Sequence, residues 1–146
     1  MQRIEKSVLI NATPSVVWDV LTFPERMKLW MGDPDMKVEI LTDWKVGSPV
    51  VISGFHHTKF ENRGVVLQSD PKQLLRYTHL SSLSRLPDVP ESYSIMEFRM
   101  IRKENQTSLV LAIENFPTES IRKHLDFYWT TTLEIIKKTA EQLVEG

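Results

Sequence analysis

The chain has no cysteine. Disulfides, thiolate nucleophiles and cysteine-ligated zinc or iron are therefore excluded. Long apolar runs are also missing. The longest, Leu109 to Ile113, falls far short of the roughly 20 residues that a membrane helix needs. The opening segment MQRIEKSVLI scatters charge and holds no apolar core of a signal peptide. Neither charge is in real excess: 18 basic residues face 19 acidic ones, for a net charge of −1. Nucleic-acid binders usually carry a basic excess or stripe, so that class is not expected. There is no His-Glu-x-x-His pair, no glycine-rich phosphate loop and no Gly-x-Ser-x-Gly elbow. The reading from these absences is a cytoplasmic protein with no cofactor, no metal and no membrane insertion.

What is present is typical of globular proteins, with 41% hydrophobic and 25% charged residues. A length of 146 residues suits a single domain spanning 1–146. RIEKSVLI reads as a strand that becomes fully apolar at its end. Thr13 suits a helix N-cap and Pro14 the first helical position, where a missing N–H costs nothing. Helix one is expected to reach about Leu21, with Val17, Trp18, Val20 and Leu21 close to one side. Pro24 opens a second short helix carrying Met27, Trp30 and Met31. MKVEIL, VVISGFH, GVVLQSDP, QLLRYTHL, SYSIMEFRMI and TSLVLAIENF follow as strands, mainly antiparallel. Residues 81–92, with Pro87 and Pro90, read as a loop.

The last element differs. Thr118 can cap it, and no glycine or proline interrupts residues 119–145. Ile121, Leu125, Tyr128, Trp129, Thr132, Ile136, Ala140 and Leu143 recur at intervals of three and four, so one long amphipathic helix is expected. Its apolar stripe needs a surface of similar length, and the sheet is the candidate. The fold class is α+β: about six to seven strands gripping a C-terminal helix, with two short helices after strand one.

This order resembles the helix-grip proteins, the START-like or birch-pollen-allergen-like superfamily. Within it the chain resembles the branch named for activators of a heat-shock chaperone ATPase. The resemblance rests on ATPSVVWDVLTFPERMKLW, the DWKVGS turn, GVVLQSDPKQLLRYTH, DVPESYSIMEF and Trp129. Two positions depart from the pattern: Phe23 where an Asp or Asn cap is usual, and His79 where tryptophan is common. The resemblance implies a cavity between sheet and long helix, closed at one end by the short helices.

Strand parity selects its lining. If Arg76 faces water, Leu75, Tyr77 and His79 face in. If Glu97 and Arg99 face out, Met96, Phe98 and Met100 face in. Leu109, Leu111 and Ile113 are the inner set of their strand; VVISGFHH is apolar on both faces, so its parity stays open, with Val50, Ile52, Gly54 and His56 as one inner set. Of these, Tyr77, His79, Met96, Phe98 and Met100, with Met27, Trp30, Leu125, Tyr128, Trp129 and Thr132, make the candidate ligand site. Tyr77, His79, Tyr128 and Thr132 would orient the ligand. Trp44, beside the Gly47 turn, reads as a lid on a sheet end. His56 and His57 point to opposite faces on a strand, so they chelate one ion only if they sit in a turn. Asp43, Asp70 and Asp88 fall in turn contexts.

Three functions are compatible with these residues. The first is a carrier or sensor of a small hydrophobic molecule. The second is an interaction module like the chaperone activators, with a chaperone or a second copy as partner. The third is a cyclase-like enzyme using His79 as base. A histidine simply satisfied within the core is the plain alternative to any role for His79.

Overall fold

The structure, a computed structural model, describes residues 3–145. Seven strands form one antiparallel sheet: β1 (Ile4–Ile10), β2 (Glu39–Leu41), β3 (Pro49–His56), β4 (Thr58–Asp70), β5 (Leu74–Ser81), β6 (Ser94–Lys103) and β7 (Gln106–Glu114). Their spatial order is β1-β7-β6-β5-β4-β3-β2. Strands β1 and β2 are consecutive in sequence but lie at opposite edges. The chain between them must therefore cross the whole sheet. It does so through α1 (Pro14–Thr22), α2 (Pro24–Met27) and a 3-10 turn at Pro34–Met36. That is why two short helices follow the first strand directly.

Helix α3 (Glu119–Glu145) is the long helix expected. Thr118 caps it: the Ile121 N–H donates to the Thr118 hydroxyl at 3.1 Å. Its 27 residues span about 40 Å. It packs on β1 and α1, and α1 in turn packs on β6 and β7. Leu125, Trp129, Leu133, Ile136 and Ala140 are buried along the stripe. Each large side chain buried there contributes roughly 1.5–3 kcal/mol.

The exposed edge of β1 is guarded from α3. Lys137 Nζ donates to the Leu9 carbonyl and the Asn11 N–H donates to Glu141 Oε2, each at 2.8 Å. Lys6 points inward from this edge strand and meets Asp126 at 2.5 Å. An inward lysine on an edge discourages pairing with another chain.

Several local expectations change. The Thr13 hydroxyl makes no capping bond, although the residue holds the N-cap position. Helix α2 stops at Met27, and Trp30 and Met31 lie in the turns beyond it. Strand pairing within MKVEIL is confined to Glu39–Leu41. Strand β4 starts six residues before GVVLQSDP, because Phe60 and Asn62 alternate with the outward Lys59, Glu61 and Arg63 and continue the β3 pairing. The loop at 81–92 contains two 3-10 turns, at Ser82–Ser84 and Pro90–Ser92. Leu9, in the apolar end of β1, is 49% exposed.

Candidate functional site

A chain of aromatic rings crosses the interior beneath the N-terminal half of α3. Trp44 meets Tyr77 edge-on with centroids 5.4 Å apart. Tyr77 stacks on Phe98 at 6.3 Å, and Phe98 meets Trp129 at 5.5 Å. Trp129 then meets Trp30 at 6.1 Å. The ends of the chain converge on one helix terminus. Trp30 Nε1 donates to the Val20 carbonyl at 2.8 Å, and Trp44 Nε1 donates to the Thr22 carbonyl at 2.7 Å. These are last-turn carbonyls of α1, which have no intrahelical partner. The two indoles therefore satisfy the helix end and bind the short helices to the ring belt.

Parity places the candidates as expected on the strands. Tyr77, Met96, Phe98 and Met100 are buried on the inward side, as are Met27, Trp30, Leu125, Trp129 and Thr132. Val50 and Ile52 are buried, Gly54 is partly buried, and His56 is exposed at the strand end. Tyr128 is a correction. It lies at the margin of the stripe and is 41% exposed, its ring edge-on to Trp129 at 5.3 Å. The Thr132 hydroxyl donates to the Tyr128 carbonyl at 2.8 Å, so it is already used within its own helix.

Two inward polar groups differ from Thr132. Among the described residues, neither the Tyr77 hydroxyl nor the His79 imidazole has a hydrogen-bond partner. His79 pairs with the buried Ser94 in the β5–β6 ladder, and solvent still reaches part of its ring. Burial holds the His79 pKa down at about 4, and the nearby His124 adds to the effect. The imidazole is therefore neutral at pH 7. Burial also pushes the Tyr77 phenol well above its ordinary range.

Of the two concavities described, one lies away from the long helix and one lies between the sheet's edge strand and that helix. One, about 550 Å³, is an open groove near the β3–β4 turn lined by Met36, Gly54, Phe55 and Phe60 among others. The other, about 280 Å³, runs between β1 and α3 beside Lys6, Val8 and Leu133. The space expected to be hollow is crossed by rings.

Sequence reasoning undervalued Trp44, which is part of the belt rather than a detached lid. It missed Asn62, an inward position on β4 opposite Ile52. The signal was the charge alternation of Lys59, Glu61 and Arg63 around it. Glu97 faces outward but is only 8% exposed. Arg3, Arg76 and Arg99 cover it at 3.8, 3.7 and 3.3 Å. His56 and His57 do sit in a tight turn, with rings 4.6 Å apart. Among the described residues no group of three or more His, Cys, Asp or Glu is placed to hold a metal.

Belt, sheet order and gripping helix can be compared with known proteins. The family model described as "Activator of Hsp90 ATPase homolog 1-like protein" matches residues 11–141. The chain belongs to this family. Among solved structures it is similar to ChR145 from Cytophaga hutchinsonii, with 31% identity and a TM-score of 0.81, covering 100% of this chain and 98% of that one. It is also similar to the Aha1 dimer from Colwellia psychrerythraea, with 22% identity and a TM-score of 0.76, covering 97% of each chain. NE0264 from Nitrosomonas europaea shares the fold at 19% identity and a TM-score of 0.79, with 99% and 97% covered. No curated protein matches the sequence. The family's helix-grip fold is thus present in full: seven antiparallel strands, a long C-terminal helix and short helices after strand one. Among the described residues no helix is long and apolar enough to cross a membrane.

Proposed function

We propose that this member of the activator-like family binds a small hydrophobic molecule beneath the N-terminal half of α3, displacing part of the ring belt. The observation that carries the reading is the Tyr77 hydroxyl, which has no protein partner although its residue is 6% exposed, set beside a neutral, unpartnered His79. A polar group on an apolar wall that has no protein partner and is reached by water is suited to a ligand's polar atom. Met96 and Met100 on the same wall can repack around varied shapes. Tyr128, half in and half out, stands where a ligand would enter.

The test is a titration with N-phenyl-1-naphthylamine, an uncharged fluorophore that brightens in apolar surroundings. Binding at this site gives saturable emission at an equimolar ratio, and Trp129→Phe changes its affinity. Emission no higher than in buffer contradicts the reading.

A second reading, an interaction module, has one observation in its favour. Phe127 is 80% exposed on α3, flanked by Tyr128 and Ile135 at 41% and 39%. Large exposed apolar side chains on one flank suit a protein partner, either a chaperone or a second copy. The dimer is the state of the Colwellia relative. If this reading holds, Phe127→Asp abolishes self-association in light scattering, or abolishes stimulation of a chaperone ATPase.

A further inference from the structure

The polar character of the belt's surroundings specifies more than the presence of a ligand. From β3 to β6 the buried inward positions carry no lysine, arginine or carboxylate among the described residues. Their polar groups are Tyr77, the buried Ser94 and the partly buried Asn62 and His79. Farther along the sheet, inward Lys6 is already engaged with Asp126 at 2.5 Å. On the helix, Arg122 is engaged with Glu119 at 3.5 Å. A carboxylate or phosphate moved into this wall would lose its hydration and, among the described residues of β3 to β6, meet no inward lysine or arginine. Burying an unpaired charge is far more costly than burying a hydroxyl that gains a hydrogen bond.

We infer that the molecule held beneath α3 is uncharged: an apolar body with one neutral hydrogen-bonding group, such as an alcohol or a ketone, directed at Tyr77 and His79. The site discriminates against fatty-acid and phosphate anions of the same length. A phenol and a neutral imidazole together offer both a donor and an acceptor. A hydroxyl can use either, and a carbonyl can use the donor. The inference rests on the binding reading above and adds the charge class of the ligand.

A matched pair of competitors tests it. 1-Decanol and decanoate are titrated at pH 8, where decanoate is fully ionised, against bound N-phenyl-1-naphthylamine. Decanol is expected to displace the probe at a concentration at least about tenfold lower, the scale set by an uncompensated charge on burial. In Asn62→Lys, checked for folding by circular dichroism, a cation now sits on the inward wall, and the ratio should fall toward unity or invert. Equal or stronger displacement by decanoate from the unsubstituted protein overturns the charge inference while the binding reading stands. Failure of the probe itself to bind overturns both.

Discussion

Trp44 stands edge-on to Tyr77 at 5.4 Å while its indole N–H donates to the Thr22 carbonyl at 2.7 Å. One residue therefore joins the end of α1 to the inner wall of β5. Trp44 adopts this position with a positive φ of 57°, a conformation that costs a bulky residue energy. Trp44→Phe keeps a ring against Tyr77 and removes the donor. The expected loss is about 1 kcal/mol, read as a fall in Tm of about 3–4 °C. An unchanged Tm would mean that the carbonyl needs no partner.

Gly64 gives a sharper result. A Cβ built there lies 1.7 Å from the Thr78 carbonyl oxygen, which is backbone and cannot swing aside. Gly64→Ala must push β4 off β5, at a cost of more than about 3 kcal/mol. Gly54→Ala is the control. Its Cβ meets the Phe60 ring at 2.9 Å and the Met36 carbonyl at 3.0 Å. Urea unfolding should rank Gly64→Ala as much the less stable. The reverse order contradicts the close approach.

His79 makes stability depend on pH. The folded protein takes up this proton only near pH 4, and the unfolded chain does so near the ordinary histidine value of 6.5. The unfolded state therefore binds more protons in that window, and stability rises with pH. The contribution is complete above about pH 6.5–7 and is lost as pH falls toward 4. Full burial would make it about 3 kcal/mol. Because solvent reaches part of the ring, about 1–2 kcal/mol is expected. The drop in Tm from pH 7 to pH 5 should be smaller in His79→Gln than in the parent. Equal drops would place the imidazole in water.

Glu97 anchors the outer face of the sheet. It is 8% exposed beneath Arg3, Arg76 and Arg99, and the Nε of Arg76 is buried without a partner. Glu97→Gln keeps the shape and leaves three guanidinium groups facing one another. The arginines are partly solvated, so the cost should be about 1–3 kcal/mol rather than that of a fully buried pair. A rise in Tm would show that the carboxylate is a burden there.

The long helix and β6 were legible because their patterns are local. No glycine or proline interrupts α3, and Met96 and Phe98 alternate with Glu97 and Arg99. Three other features depend on contacts that no local pattern carries. The first half of β4 has few apolar residues, and its strand state comes from pairing with β3. Helix α2 ends at Met27, and Trp30 beyond it donates to the distant Val20 carbonyl. Tyr128 sits at the stripe margin, where the 3.6-residue period does not decide between core and solvent. The hollow implied by family resemblance was not legible in the sequence for a different reason. Periodicity tells which rings face inward but not whether their volumes fill the space between the layers.

Methionine methyl NMR tests the central claim most directly, because the methionines report on separate places. Met27, Met96 and Met100 lie buried in the core around the belt, and Met36 lines the groove near the β3–β4 turn. With 13C-methyl methionine and increasing 1-decanol, the Met96 and Met27 resonances should shift saturably, with nuclear Overhauser contacts from the Met96 methyl to the decanol chain. Shifts confined to Met36, or no shift at any methionine, would contradict binding beneath α3.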